Sequence, residues 1–204
     1  MLLDHYVGLQ QLHTNEIAHQ DLKPSNILAF QKDYKISDLG NSSDKNKEFE
    51  NDKYQIPGDP NYCPIEQIYD YHCTNDFNEK IAADMYLFGS LFFFFFTGFS
   101  ASQVIIKKSE ILKISLTENF DNDIAEWERV YTEVLSDFKR TIQSIISDDK
   151  LIEEIFILVR NLCHPDPRKR GHYQNVAEKF NKYGLDRVIS RLDYIAKKAE
   201  MKLI

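Results

Sequence analysis

The sequence predicts a mainly α-helical domain with one small β ribbon. Apolar residues recur at helical spacing over most of the chain, and two short apolar runs near the N-terminus are separated by a few polar residues. The length of 204 residues and the hydrophobic fraction of 43% suffice for one well-buried domain. We therefore expect one compact unit in which helices form most of the core.

Helices are expected at the start of the chain and through its second half. The first is predicted to close near Asn15, and others are expected over 151–162 and from about Tyr173 and Leu185. A long amphipathic helix is predicted from one apolar face, formed by Ile124, Trp127, Val130, Tyr131, Val134, Phe138, Ile142 and Ile145.

Two segments near the N-terminus do not fit a helix. The runs "NILAF" and "YKISD" predict a two-stranded ribbon with a tight turn. Residues Gly40 to Pro64 have no apolar period and predict a long loop, which in a compact domain is usually functional. The acidic stretch from Glu118 to Asp123 is interpreted as a solvated turn and helix cap.

The most apolar segment is "MYLFGSLFFFFFTGF", from Met85 to Phe99. A membrane-spanning helix needs about 20 apolar residues, and here Asp84 precedes the run while Ser100 and Ser102 follow it. We interpret it as a central helix buried on all sides. A helix inserted into a membrane remains the alternative.

Charge and cysteine content narrow the function classes. A net charge of -7 and an isoelectric point near 5.4 predict no broad basic surface, so neither nucleic acid nor an anionic membrane is expected as a partner. Cys63, Cys73 and Cys163 are scattered, which argues against a disulfide framework or a zinc site. The N-terminus does not resemble a secretory signal, and we expect a cytoplasmic protein.

The stretch "EIAHQDLKPSNILAF", Glu16 to Phe30, carries candidate chemistry. Transfer of a phosphoryl group from ATP needs a carboxylate to orient the attacking hydroxyl, a cation for the migrating group and oxygen ligands for Mg²⁺. This stretch offers Asp21, Lys23 and Asn26, and "SDLG" offers Asp38. The order and spacing resemble the catalytic and magnesium loops of protein kinases of the serine/threonine type.

The resemblance assigns roles to individual residues. It implies that Asp21 is the catalytic aspartate and that Lys23 neutralises charge on the transferring phosphate. Asn26 and Asp38 would bind Mg²⁺ with ATP. His19 would be a structural histidine, and Gly40 would give the backbone freedom after the metal ligand.

Two further motifs extend the resemblance. "GDPNYCPIEQ" looks like the substrate-docking loop of kinases, and "DPRKR" looks like a motif near the end of kinase domains, which implies a buried pair between Glu66 and Arg170. Asp84, at the start of the apolar segment, would brace the catalytic loop. By this resemblance residues 1–182 form a kinase C-lobe and residues 183–204 a C-terminal helical tail.

Three positions depart from the kinase pattern. Gln20 replaces the arginine that normally receives a phosphate from the long loop, so we expect an enzyme not gated by phosphorylation of that loop. Leu39 replaces phenylalanine in the magnesium motif, an apolar exchange. Asp59 stands where serine/threonine kinases usually have threonine, although Lys23 still favours a serine or threonine acceptor.

The nucleotide-binding half of a kinase is missing from the sequence. The seven glycines contain no G-x-G, and only part of a helix precedes His19, so we expect a C-lobe without its N-lobe, inactive alone. The expected function is phosphoryl transfer to protein serine or threonine once an N-lobe is supplied. Two alternatives stay open: a pseudokinase or half-kinase that binds a partner, and a small-molecule phosphotransferase of the aminoglycoside or choline type.

Overall fold

A computed structural model describes residues 2–30, 33–48, 53–72, 77–178 and 183–200. Within these ranges the fold is mainly helical, as predicted. The helices are α1 (Leu2–Thr14), α2 (Ile65–Ile68), α3 (Phe77–Thr97), α4 (Ala101–Leu112), α5 (Phe120–Ile145), α6 (Asp149–Leu162), α7 (Tyr173–Glu178) and α8 (Asp186–Glu200). Cys73 lies outside the described residues.

Within the described residues the β structure consists of two small antiparallel sheets rather than one. Strands β2 (Ile27–Phe30) and β3 (Asp33–Ile36) form the predicted ribbon. Strands β1 (Ile17–Ala18) and β4 (Ser43–Asp44) form a second pair that the sequence did not predict. The prediction of a loop without regular structure over 40–64 was therefore wrong at Ser43 and Asp44. Two paired residues are too few to show the period of two by which a strand is predicted.

Helix α3 lies at the centre of the fold, in contact with α4, α5 and α6. Every residue from 81 to 93 is buried, but the prediction of burial as far as Phe99 was wrong at the end of the segment, where Phe95 is 43% and Phe99 58% exposed. By length and composition α3 could cross a membrane, yet 72% of its most apolar window is buried in the fold, as in a core helix. A Cβ on Gly89 would lie 2.6 Å from Cys163 Sγ, so glycine allows α3 and α6 to approach closely.

Helix α5 follows its predicted apolar face. Trp127 is 3% exposed, and residues up to Ile142 on this face pack into the core. Ile145 is 60% exposed, so the predicted apolar face was wrong at the last residue of α5. Asn119 caps the N-terminus of α5 through its side chain, which accepts a hydrogen bond from the backbone N–H of Asn122.

The interpretation of Asp123 as part of a solvated turn was wrong. Asp123 is 2% exposed and accepts hydrogen bonds from the backbone and the hydroxyl of Thr117 and from the hydroxyl of Tyr69. These hydrogen bonds outweigh desolvation by burial and lower the pKa of Asp123. The carboxylate thus joins the entry of α5 to the segment after α2.

Helix α8, in the segment predicted as a tail, packs against α1 and α6. Leu185, Val188 and Leu192 are buried and belong to the same apolar core as α3. Residues 183–200 therefore complete the core physically. The boundary at 182 stays a prediction.

Arg170 joins three parts of the chain at a buried point. It is fully buried and donates from Nη1 and Nη2 to both carboxylate oxygens of Glu66, at 2.6 and 2.8 Å. Its guanidinium also donates to the backbone carbonyls of Ala82 and His164 and lies 4.9 Å from the ring centre of Tyr86. Each buried charge thus has a partner, as the two motifs imply.

We expect Arg170→Met to lower the free energy of unfolding by about 3–5 kcal/mol, because it leaves the Glu66 carboxylate buried without its partner. Urea unfolding followed by circular dichroism measures this loss. The double variant Glu66→Leu with Arg170→Met should recover much of it. Arg129→Met is the matched control, since Arg129 pairs with Glu126 on the exposed surface of α5 and its loss costs below about 1 kcal/mol. Equal losses in the two single variants would contradict a structural role for the buried pair.

Candidate active site

The predicted catalytic loop, His19–Asn26, is attached to α3 through one carboxylate. Asp84 is fully buried and accepts hydrogen bonds from the backbone N–H groups of His19 and Gln20, at 2.7 and 2.6 Å. His13 Nε2 lies 2.8 Å from the same carboxylate. Gln20 has a φ of 63°, a left-handed conformation that costs a non-glycine residue free energy. The bonds to Asp84 hold the backbone there.

His19 connects the catalytic loop to the segment that carries Asp38. Its ring is buried, with Nδ1 accepting from the backbone N–H of Asp21 at 3.2 Å and Nε2 lying 3.1 Å from the carbonyl oxygen of Ser37. A carbonyl can only accept, so these partners assign the proton to Nε2. These two contacts fix the spacing between the two loops.

Asp21 is buried, with 5% of its side chain exposed, and its carboxylate faces several donors. Oδ1 accepts from the backbone N–H of Asp59 at 2.9 Å. Oδ2 accepts from the side-chain amides of Asn26 and Asn41, each at 3.3 Å, and lies 3.1 Å from Lys23 Nζ. The carboxylate is held in one orientation, as a general base requires.

Lys23 lies between two carboxylates. Its Nζ is 3.1 Å from Asp21 Oδ2 and 3.6 Å from Asp59 Oδ2. Partial burial acts to lower the pKa of Lys23, but the hydrogen bond and charge of Asp21, together with the charge of Asp59, outweigh it and raise the pKa. Lys23 is therefore a cation at neutral pH, and its side chain reaches solvent.

Asn26 and Asp38 offer oxygen atoms suited to Mg²⁺. Asn26 donates from Nδ2 to the carbonyl oxygen of Asp21 at 2.9 Å, and its side-chain oxygen accepts a long hydrogen bond of 3.5 Å from the Ser25 hydroxyl. Ser37, next to Asp38, donates from its backbone N–H to the carbonyl oxygen of Asn26 at 2.9 Å. An amide oxygen and an exposed carboxylate from adjoining segments are hard ligands of the kind Mg²⁺ prefers, so the donor set fits the ion.

The backbone freedom predicted for Gly40 falls on a different residue. Asp38 has the left-handed conformation, with a φ of 63°, whereas Gly40 does not. Gly40 instead donates its N–H to Asp38 Oδ1 at 3.2 Å, and a Cβ there would lie 3.1 Å from that oxygen. The glycine therefore gives the carboxylate space.

The docking loop, Gly58–Gln67, passes directly over the catalytic loop. A Cβ on Gly58 would lie 2.4 Å from the carbonyl oxygen of Gln20 and 2.9 Å from Asp21 Oδ1. Side chains at this position are excluded by backbone that is itself bonded to Asp84. At its other end the docking loop carries Glu66, which is bound to Arg170.

Gln20 makes neutral contacts to the segment after Asp38. Its Nε2 donates to the hydroxyl of Ser43 and, at 3.3 Å, to the carbonyl oxygen of Asn41. Lys80, in the first turn of α3, donates from Nζ to the same Ser43 hydroxyl at 3.0 Å. Ser43 is fully buried and belongs to strand β4. This part of the long loop is fixed through uncharged oxygen atoms.

Comparison with known proteins identifies the family. The family model of the protein kinase domain matches residues 2–180, and the chain therefore belongs to the protein kinase family. The membrane-associated tyrosine- and threonine-specific cdc2-inhibitory kinase wee-1.1 of Caenorhabditis elegans is 40% identical over 73 residues, 33% of this chain and 16% of that protein. The probable serine/threonine-protein kinase gdt8 of Dictyostelium discoideum is 36% identical over 93 residues, 43% of this chain and 6% of that protein. The chain thus spans a small part of either relative.

Several contacts at this site were not predicted from the sequence. Asn41 and Lys80 carry no local signal for their contacts, because their partners come from distant segments. Gly58 did carry a local signal of its contact, since an isolated glycine in a polar loop often marks a close approach of two backbone segments. The predicted residues His19, Asp21, Lys23 and Asn26 are brought together, with Asp84 behind them, while their catalytic and metal-binding roles stay predictions.

We expect Gly58→Ala to displace the docking loop from Asp21 and to lower the free energy of unfolding by about 1–3 kcal/mol, because its Cβ meets backbone that cannot move aside cheaply. Hydrogen exchange should show faster exchange of the Asp59 amide, which loses its acceptor. Gly8→Ala is the control, since a Cβ there makes ordinary contact with Ile36 at 3.5 Å. Unchanged exchange at Asp59 in Gly58→Ala would contradict the close approach.

Proposed function

We propose that this chain is the C-lobe of a cytoplasmic protein kinase that transfers the γ-phosphoryl group of ATP to serine or threonine of a protein substrate. The observation that carries the proposal is the Asp21 carboxylate, oriented by three hydrogen-bond donors with Lys23 beside it. A purely structural aspartate needs no adjoining cation that reaches solvent. The family membership supports a protein as the acceptor.

In this mechanism Asp21 accepts a hydrogen bond from the substrate hydroxyl and takes its proton as the oxygen attacks the γ-phosphorus. The bond between that phosphorus and the bridging oxygen breaks, and ADP leaves. Lys23 neutralises charge on the migrating phosphoryl group. Asn26 and Asp38 would hold Mg²⁺, which when bound neutralises the phosphates of ATP. His19 and Asp84 act through the backbone by keeping these loops in place.

Exposed apolar residues on and near the β ribbon favour a second lobe that covers this site. Leu28 and Phe30, two residues apart on β2 and so on one face of the strand, are 44% and 53% exposed, and Leu39 is 49% exposed. Exposed apolar groups that lie together commonly mark a contact surface. A covering lobe would bury them and close the nucleotide site. The same surface keeps the alternative of a half-kinase binding module open, although such a module has no need of Lys23.

The acceptor residue is proposed from Lys23, which follows the serine/threonine pattern. Of the two relatives, gdt8 is named as a serine/threonine kinase, whereas wee-1.1 is named as specific for tyrosine and threonine. Threonine is common to both names. We therefore expect threonine-containing peptides to be accepted, and a panel with serine, threonine or tyrosine at one position measures the preference.

We expect Asp21→Asn to lower the rate of ATP-dependent phosphorylation at least about 100-fold, because it removes the proton acceptor and keeps the side-chain shape. The measurement uses protein captured from its native cell through a C-terminal tag, with radiolabelled ATP, Mg²⁺ and the peptide panel. Asp149→Asn is the control, as Asp149 lies exposed in the first turn of α6.

Two outcomes of this measurement would reject the kinase proposal: no phosphorylation by the wild type, or equal phosphorylation by wild type and Asp21→Asn. The intact mass of the captured protein separates the two forms of the proposal. A mass well above 24.0 kDa indicates a chain that includes its own upper lobe, and a mass near 24.0 kDa indicates a partner that supplies it.

Phosphorylation of the long loop is not expected to control this enzyme. In the kinase pattern an arginine at position 20 binds the phosphate of the loop. This chain has Gln20 there, which donates to the buried Ser43 hydroxyl instead. Burial also withholds Ser43 from a modifying enzyme. We propose that the contacts among Gln20, Ser43 and Lys80 hold the loop in its working position without a phosphate.

We expect Ser42→Ala combined with Tyr54→Phe to retain the wild-type rate, because neither hydroxyl supports the catalytic loop. Phosphatase treatment of the wild type should leave the rate unchanged. Ser43→Ala belongs in a separate variant, since it removes the buried hydroxyl that accepts hydrogen bonds from Gln20 and Lys80 and costs about 1–3 kcal/mol of stability. Loss of activity in the double variant or after phosphatase treatment would contradict this proposal.

A further inference from the structure

The acidic residue at the entrance to the site, Asp59, has a divided set of contacts. Its Oδ1 accepts from the backbone N–H and the side-chain amide of Asn61, at 2.9 and 3.1 Å. Its Oδ2 faces Lys23 Nζ at 3.6 Å, longer than a hydrogen bond. One oxygen thus fixes the side chain within the docking loop, and the other makes a loose ion pair.

Lys23 is shared unequally by two carboxylates. The contact to Asp21 is 3.1 Å and that to Asp59 is 3.6 Å, so Asp59 is the weaker partner. The Asp59 side chain is also 28% exposed, against 5% for Asp21. A cation arriving from solvent can therefore replace Lys23 at Asp59 without disturbing Asp21.

The three side chains together carry one excess negative charge. An arriving ATP phosphate is also anionic, and it needs Lys23 for neutralisation. While Lys23 is paired with Asp59, the negative charge of Asp59 opposes the movement of Lys23 to the phosphate. A positive side chain on the acceptor protein removes the conflict, because it neutralises Asp59 and leaves Lys23 to the phosphoryl group.

We propose that Asp59 is a specificity-determining residue that selects acceptor segments with lysine or arginine next to the phosphorylated residue. This inference rests on the proposed kinase function of the same site. Asp59 is placed for this role by the docking loop, because its backbone N–H is bonded to Asp21 Oδ1 at 2.9 Å. Its carboxylate consequently lies beside the position of the attacking hydroxyl.

The test compares phosphorylation of three peptides that differ in one residue beside the acceptor: lysine, alanine or glutamate. The native protein should favour the lysine peptide over the glutamate peptide by about tenfold in kcat/KM, the effect of one partly screened charge pair. Asp59→Asn keeps an acceptor for Asn61 and removes only the charge, so the preference should disappear. Asp59→Glu keeps the charge and should retain it.

The control is Asp70→Asn, which removes an exposed charge from a residue whose left-handed backbone also suits asparagine. It should leave the peptide preference unchanged. The inference is overturned if Asp59→Asn keeps the wild-type preference, or if it lowers the rates for all three peptides equally, as loss of a purely structural contact would.

A binding measurement separates this inference from the kinase proposal. Fluorescence anisotropy with peptides that carry alanine at the acceptor position records binding without transfer. If the wild type transfers no phosphate, the kinase proposal fails, while binding still decides the role of Asp59. Tighter binding of the lysine peptide that is lost in Asp59→Asn supports the inference, and equal binding of lysine and glutamate peptides overturns it.

Discussion

The buried carboxylate of Asp84 is the contact on which the candidate site depends. Hydrogen bonds from two successive backbone N–H groups reach it from the catalytic loop, and His13 reaches it from α1. A carboxylate in the middle of an apolar helix would be costly without such donors. Because α3 is surrounded by other helices, its position is fixed. The hydrogen bonds to Asp84 therefore fix the position of the catalytic loop as well. The strained backbone at Gln20 is stable only in this setting.

A second constraint acts on the docking loop from both ends. At Gly58 it contacts the backbone of the catalytic loop, and at Glu66 it is bound to Arg170. The residues between these points, including Asp59, therefore have little freedom to move away from Asp21. The docking loop is thus built into the same core as α3, whereas the β ribbon carries the exposed apolar residues Leu28 and Phe30.

The local patterns that predicted the fold are those that need no distant partner. The face of α5 and the ribbon between "NILAF" and "YKISD" follow from periodicity and turn length alone, and both are present. The pairing of β1 with β4 joins two distant segments, so no local pattern indicates it. Asp123 shows the same limit, because charge predicted exposure while Thr117 and Tyr69 donate hydrogen bonds to its buried carboxylate. At the site, residue types and order indicated the chemistry, but the approach of Gly58 required the folded chain.

The pairing of Glu66 with Arg170 also affects biosynthesis. The two residues are 104 positions apart, and a ribosome adding roughly 5–20 residues per second takes on the order of 5–20 seconds to make the intervening chain. During that interval the emerging polypeptide holds an acidic group without its guanidinium and an apolar central helix without α6. The nascent chain therefore exposes the apolar helix α3 before the residues that cover it have been synthesised. Cells that make this protein have a reason to shield α3 until translation has passed the DPRKR motif.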